Sequence, residues 1–234
     1  MTDELPQDAS TMPTDGTTDR ASAPLKHRRA RAHERAPVLT LCVVMEGGLG
    51  AVAILIAYLA SFSLLGQFPK TGEDWIAGIL IGVAVSLPPL LFLAITGRVR
   101  WRPLRRVSWI IDRFLVPMFR GRSLATLLFI AIMAGVGEEL FFRGLVQEGT
   151  ASLIGGILGV ILGLTLGSAL FGLAHPFTIG YLVYATVMGV YLGLALIVTD
   201  NLLVPVIAHA CYDFVALIYY VRIRHRRRSR KSLV

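Results

Sequence analysis

Three clusters of ionisable residues interrupt the most apolar parts of this chain, and their types are those of acid–base and hydrolytic chemistry. The stretch GEELFFRG, Gly137 to Gly144, places Glu138, Glu139 and Arg143 close together. FGLAH sets Phe171 and His175 at i and i+4, and HACYD does the same for His209 and Asp213. An ionisable side chain at the centre of a bilayer costs roughly 2.5–3.5 kcal/mol on insertion scales. Groups retained there at that cost need a physical reason.

On a helix, Glu139 and Arg143 share a face and can pair, which accounts for both as a mutually neutralising structural unit. Glu138 is rotated by about 100° and is left without that partner. A carboxylate in apolar surroundings with no cation beside it meets the condition for a general acid or base working near neutral pH. The Phe171 ring can pack beside His175, and the Asp213 carboxylate can orient His209. Lipid-facing positions hold such groups poorly, so Glu138, His175, His209 and Asp213 are expected to converge inside a bundle. There they could activate water, bind a metal, or both. The structural reading of the same residues is that each histidine only links two helices by a hydrogen bond. Glu46, alone in its own apolar run, is left unassigned: it could line a cavity, meet a lipid head group or sit at a hydrated helix end.

The elements that must carry these residues are apolar helices. Of 234 residues, 55% are hydrophobic and only 16% charged, with a mean hydropathy of +0.66, whereas a soluble domain is about a quarter charged. The expected fold is an all-α polytopic transmembrane bundle of about six spans. Residues 1–36 read as a disordered cytoplasmic tail, and 37–123 as two spans and a basic loop. Residues 124–221 read as the catalytic-type membrane core, and 222–234 as a basic tail. The spans are expected near 38–65, 75–96, 124–145, 153–175, 179–198 and 202–221. Pro88-Pro89 should kink the second, and VSWIIDRFLVPMF (107–119) should form a helix on the membrane surface with Trp109 and Arg113 as anchors. The glycine-rich fourth span, GGILGVILGLTLGSALFG, suits close helix packing. Glu148 and Asp200 are expected in solvated turns.

The basic residues test this count. Of 23 Lys and Arg, six lie in 1–36, eight in 98–122 and seven in 222–231. Six spans put all three clusters on one side, which by the positive-inside rule is the cytoplasm. The expected location is the plasma (inner) membrane, with both termini cytoplasmic. Anionic lipids are the expected partners of the basic loops, and no nucleic acid is expected, because no soluble domain is left to present the charges. Cys42 and Cys211 form no disulfide framework or metal knuckle.

EELFFRG with the following Gln147, then FGLAH, then AHACYD, in this order on successive spans, resembles the three motifs of the CAAX protease and bacteriocin-processing family. These intramembrane proteases include the CAAX prenyl endopeptidases; their pattern is EExxxR, FxxxH and HxxxN or HxxxD, and the resemblance covers about residues 120–220. It implies an intramembrane endopeptidase acting on a membrane-associated peptide or protein. Glu138 and His175 would activate water, His209 and Asp213 would support the site, and Glu139, Arg143 and Phe171 would hold it together. Asp213 stands where the prenyl endopeptidases have Asn; it cannot donate a hydrogen bond unless protonated, which shifts its role toward orienting His209 or binding a metal.

The family is often labelled metalloprotease, yet HExxH is absent. Glu138, His175 and His209 could make a three-ligand site, with Zn2+ as cofactor, or run a metal-free glutamate mechanism that needs none. The competing functions are a catalytically idle scaffold or peptide-immunity protein, and a small proton-coupled transporter. One conflict stands in these boundaries. At about 1.5 Å per residue, Glu138 lies some 20 Å from the cytoplasmic face while His175 falls near it. Either the fourth span continues past Pro176 or the third enters the bilayer later.

Overall fold

The structure, a computed structural model, describes residues 36–96 and 109–224. The tail 1–35, loop residues 97–108 and residues 225–234 lie outside it, and with them most of the expected cytoplasmic tails and the basic loop. Six helices are long and apolar enough to cross a membrane: α1 (Leu39–Leu59), α2 (Gly72–Thr96), α3 (Leu124–Ile154), α4 (Gly156–Leu173), α5 (Ile179–Thr199) and α6 (Leu203–Ile223). No strand occurs among the described residues. The outward surface is made largely of Leu, Ile, Val and Phe side chains, the composition that lipid rather than water tolerates. The chain is thus an all-α, multi-pass membrane protein.

Local chemistry sets the ends of these helices. Ser123 Oγ accepts the Thr126 backbone N–H at 3.1 Å and opens α3, and Thr178 Oγ1 accepts that of Tyr181 at 3.0 Å to open α5. Gly155 and Gly156, with φ of 74° and 57°, make the reversal between α3 and α4 that a side chain would strain. Asp200 closes α5 in the left-handed region, in the turn expected for it, and is exposed. α2 runs through Pro88 and Pro89 as one helix. Trp109–Phe119 is helical, with Trp109, Arg113 and Phe114 exposed and Val116 and Phe119 buried.

α3 departs from expectation. It continues past Leu145 to Ile154, passing through a π-helical stretch at Leu140–Gln147. Glu148 is therefore a half-buried helical residue and not a solvated one beyond the span. The extension also removes the depth conflict, by neither of the expected routes: α4 ends at Leu173, before Pro176, and α3 begins at Leu124. Counting from the Gly155 turn at about 1.5 Å per residue, Glu138 lies about 25 Å along α3 and His175 about 30 Å along α4. The longer α3 brings the two level.

Backbone-to-backbone contact then holds the helices. Gly159, Gly163 and Gly167 form one stripe on α4, and a Cβ at each would run into the carbonyl oxygen of Ala151, Gln147 and Phe142 on α3, respectively. The glycine-rich span does pack closely, as small residues allow in lipid. Gly82 of α2 meets Ile207 and the Val204 carbonyl of α6, and Gly135 of α3 meets the Val206 carbonyl of α6. A core of Ala53, Ala57, Leu64, Leu140, Leu196, Leu202 and Val206 joins α1, α3, α5 and α6. Gly163→Ala is expected to destabilise the bundle by about 1–3 kcal/mol through overpacking. Gly149→Ala, at a helical site with nothing within 4 Å of the new methyl, should be neutral or stabilising. Thermal unfolding of both variants in one detergent checks the contrast.

Candidate functional site

α3, α4 and α6 deliver the ionisable residues to one buried region. Glu139 and Arg143 are the most enclosed, at 0% and 1% exposure, and Arg143 Nη1 donates to Glu139 Oε1 at 3.0 Å. The pair is not self-contained, which corrects the sequence reading. The same Oε1 lies 2.7 Å from His209 Nδ1, so the carboxylate on α3 also holds the imidazole on α6. A carboxylate engaged with a guanidinium only accepts, which places the proton on His209 Nδ1 and turns Nε2 away from Glu139. His209 Nε2 then stands 3.6 Å from Asp213 Oδ2, an ion-pair contact longer than a hydrogen bond. Glu139 thus makes the shorter contact to His209, and the Asp213 of its own helix stands at the other ring nitrogen.

Arg143 and the following Gln147 tie α3 to α5. Arg143 Nη2 donates to the Gly189 carbonyl at 3.3 Å and Gln147 Nε2 to that of Gly193 at 3.1 Å, one i, i+4 pair reading the backbone of another. Both acceptors are glycines: the missing side chain of Gly193 admits the Gln147 amide, and that of Gly189 admits Ser168 of α4.

Phe171 is the hub. The Arg143 guanidinium carbon lies 4.2 Å from its ring centroid, within cation–π range. The His175 ring packs at 4.8 Å and the His209 ring stands edge-on at 5.9 Å. Phe171 contributes its backbone as well: His175 Nδ1 is 2.8 Å from the Phe171 carbonyl. A carbonyl can only accept, so Nδ1 carries the proton and Nε2 presents a lone pair.

That lone pair points at Glu138. His175 Nε2 and Glu138 Oε2 are 3.8 Å apart, and Glu138 is 8% exposed, with Oε2 buried and making no hydrogen bond among the described residues. His175 lies between α4 and α5. Burial holds its imidazole below the ordinary histidine range, against the opposing pull of the Phe171 carbonyl, so its neutral form prevails at pH 7. The carboxylate of Glu138 and the Nε2 atoms of two histidines thus border one enclosed region, with Asp213 at its more exposed edge.

Sequence reasoning missed one member. The backbone of Glu46 on α1 packs directly against Gly137, the residue before Glu138, and its half-buried carboxyl joins the buried ionisable groups Glu138, His209 and Asp213. The signal was available, since a carboxylate inside an apolar span is functional by default. Among the described residues no group of three His, Cys, Asp or Glu is placed to hold a metal ion; the Glu139 bond occupies only Nδ1 of His209 and leaves its Nε2 available.

Comparison with curated proteins and with solved structures gives no significant match. Residues 120–215 match the family described as Rce1-like, type II CAAX prenyl endopeptidase. The matched segment is less than half of the chain, and it contains Glu138, Glu139, Arg143, Phe171, His175, His209 and Asp213 while omitting α1 and α2. Over this α3–α6 segment the chain is similar to the type II CAAX prenyl endopeptidases.

Proposed function

We propose that the chain hydrolyses a peptide bond of a membrane-associated peptide or protein, with Glu138 as general base and His175 as its partner in holding the attacking water. One observation carries this reading: Glu138 Oε2, which makes no hydrogen bond among the described residues, stands 3.8 Å from His175 Nε2, the ring nitrogen that the Phe171 carbonyl contact leaves as an acceptor. Two acceptors at that separation suit a single water that donates one hydrogen to each, with its lone pairs directed outward. As the water oxygen bonds to the substrate carbonyl carbon, Glu138 takes its proton. As the C–N bond breaks, Glu138 returns that proton to the leaving nitrogen. The oxyanion formed in between is stabilised by His209 as the imidazolium, whose Nδ1–H donates to Glu139 and whose Nε2–H, beside the Asp213 carboxylate, is left to donate to the oxyanion. Neither histidine needs to leave its observed contacts for this sequence. A scaffold would have no use for the unpaired Oε2 of Glu138.

The orientation belongs to the same proposal. The three basic clusters support placing both termini on the cytoplasmic side of the plasma (inner) membrane, in contact with anionic lipids. Arg222 Nη2 donates to the Arg122 carbonyl at 3.1 Å, so the basic segments before α3 and after α6 meet at one end of the bundle.

Glu138→Gln should abolish cleavage while leaving the amount of membrane-inserted protein near wild type. Comparing peptide termini in cells carrying either form would identify the substrate and read the loss. Glu139→Gln and Arg143→Ala should instead deplete folded protein, because each strands a buried charge at a cost of about 3–5 kcal/mol. Equal depletion in all three variants would point to a purely structural cluster. His209→Ala should slow cleavage by about 10²–10³-fold, the loss typical of one oxyanion donor. The His175 shift sets a pH dependence. Its neutral form is the active one and burial favours it, so this group should leave the rate flat from about pH 6.5 upward. The acid limb that His175 itself adds should lie below the ordinary histidine range; an NMR titration of the histidine-labelled chain in which this imidazole charges well above pH 7 would contradict this.

A further inference from the structure

Glu46 lies outside the matched segment, on a helix the motifs do not reach, yet the packing drives it into the site. Val43–Gly47 forms a π-helical turn in α1, a distortion that recurs at functional sites. This turn lies against the residue preceding Glu138: a Cβ at Gly137 would collide with the Glu46 carbonyl oxygen, and one at Gly50 would sit 3.3 Å from the Gly137 Cα. It sets Glu46, half-buried, beside Glu138 across the α1–α3 contact. The ionisable groups around Glu46 are Glu138, His209 and Asp213, with Cys42 one turn earlier on its own helix. The Arg143 guanidinium is bonded to Glu139 instead.

We propose that Glu46 and Glu138 form a carboxyl pair sharing one proton, and that Glu46 is thereby the positioning residue for the general base. The inference rests on the hydrolase reading above. Two carboxylates in contact away from water cannot both be ionised, so one proton lies between them and titrates with the pair. Whenever Glu138 acts as a base, that proton sits on Glu46, whose O–H then donates to Glu138 in a charge-assisted bond. The bond occupies one oxygen of Glu138 and leaves Oε2, the unpartnered one, facing His175. The proton taken from water goes to Glu138 and leaves with the amine, and the shared proton stays where it was. Atoms and charge balance without a further group.

Infrared spectroscopy of the full chain in lipid nanodiscs at neutral pH tests the pair directly. Wild type should show the C=O stretch of a protonated, buried carboxyl, and Glu46→Gln should lose it. Cleavage, read as the new peptide terminus, should fall about 10–100-fold in Glu46→Leu, the scale of a misplaced catalytic group. Glu46→Gln, whose amide still donates to Glu138, should recover part of that loss. A band that persists in Glu46→Gln, or wild-type cleavage by Glu46→Leu, overturns the proposal. The infrared result does not depend on proteolysis, and it stands even where Glu46→Leu fails to fold. Cleavage by Glu138→Gln would instead remove the hydrolase reading, and the two failures are thus distinct.

Discussion

The site depends on a single buried carboxylate oxygen. Glu139 Oε1 accepts from Arg143 on its own helix and from His209 on α6, so one atom neutralises a cation and fixes an imidazole ring. Arg143 passes the constraint on, to the Gly189 carbonyl of α5 and the Phe171 ring of α4. Four helices meet through this connected set, with both charged members below 2% exposure. Such a network is favourable in an apolar interior only when its members have partners, and most of them do. Glu138, one residue away, stands outside it, and that separation leaves its Oε2 free for chemistry.

The network could not close without glycine. Lipid supplies no hydrophobic force between helices, so contact area and backbone proximity must do that work. The stripe at Gly159, Gly163 and Gly167 lets α4 lie against the α3 backbone, which sets the height of His175 opposite Glu138. Gly189 and Gly193 present their carbonyls to Arg143 and Gln147. Gly137 admits the α1 turn that carries Glu46. The same residues that pack the bundle therefore aim its polar groups.

Much of this was legible in the chain itself. A run of apolar residues long enough to span a bilayer has few alternatives to a helix, because no water is present to satisfy its backbone; six such runs determined the fold class. Spacing of i and i+4 determined that Glu139 meets Arg143 and that Phe171 meets His175, since both lie within one helix or just past its end. The motif order carried the resemblance to the family whose description matches residues 120–215. Other features are decided between helices, and no local pattern encodes them. That Glu139 rather than Asp213 binds His209 Nδ1 depends on the α3–α6 crossing at Gly135. The level meeting of Glu138 and His175 depends on α3 running to Ile154, through Gln147–Thr150, whose polar residues read in the sequence as the end of a span. Glu46 enters the site only because Gly137 lacks a side chain. Residue type and spacing within a helix determined which groups could react, and the closeness of helix backbones decided which of them face each other.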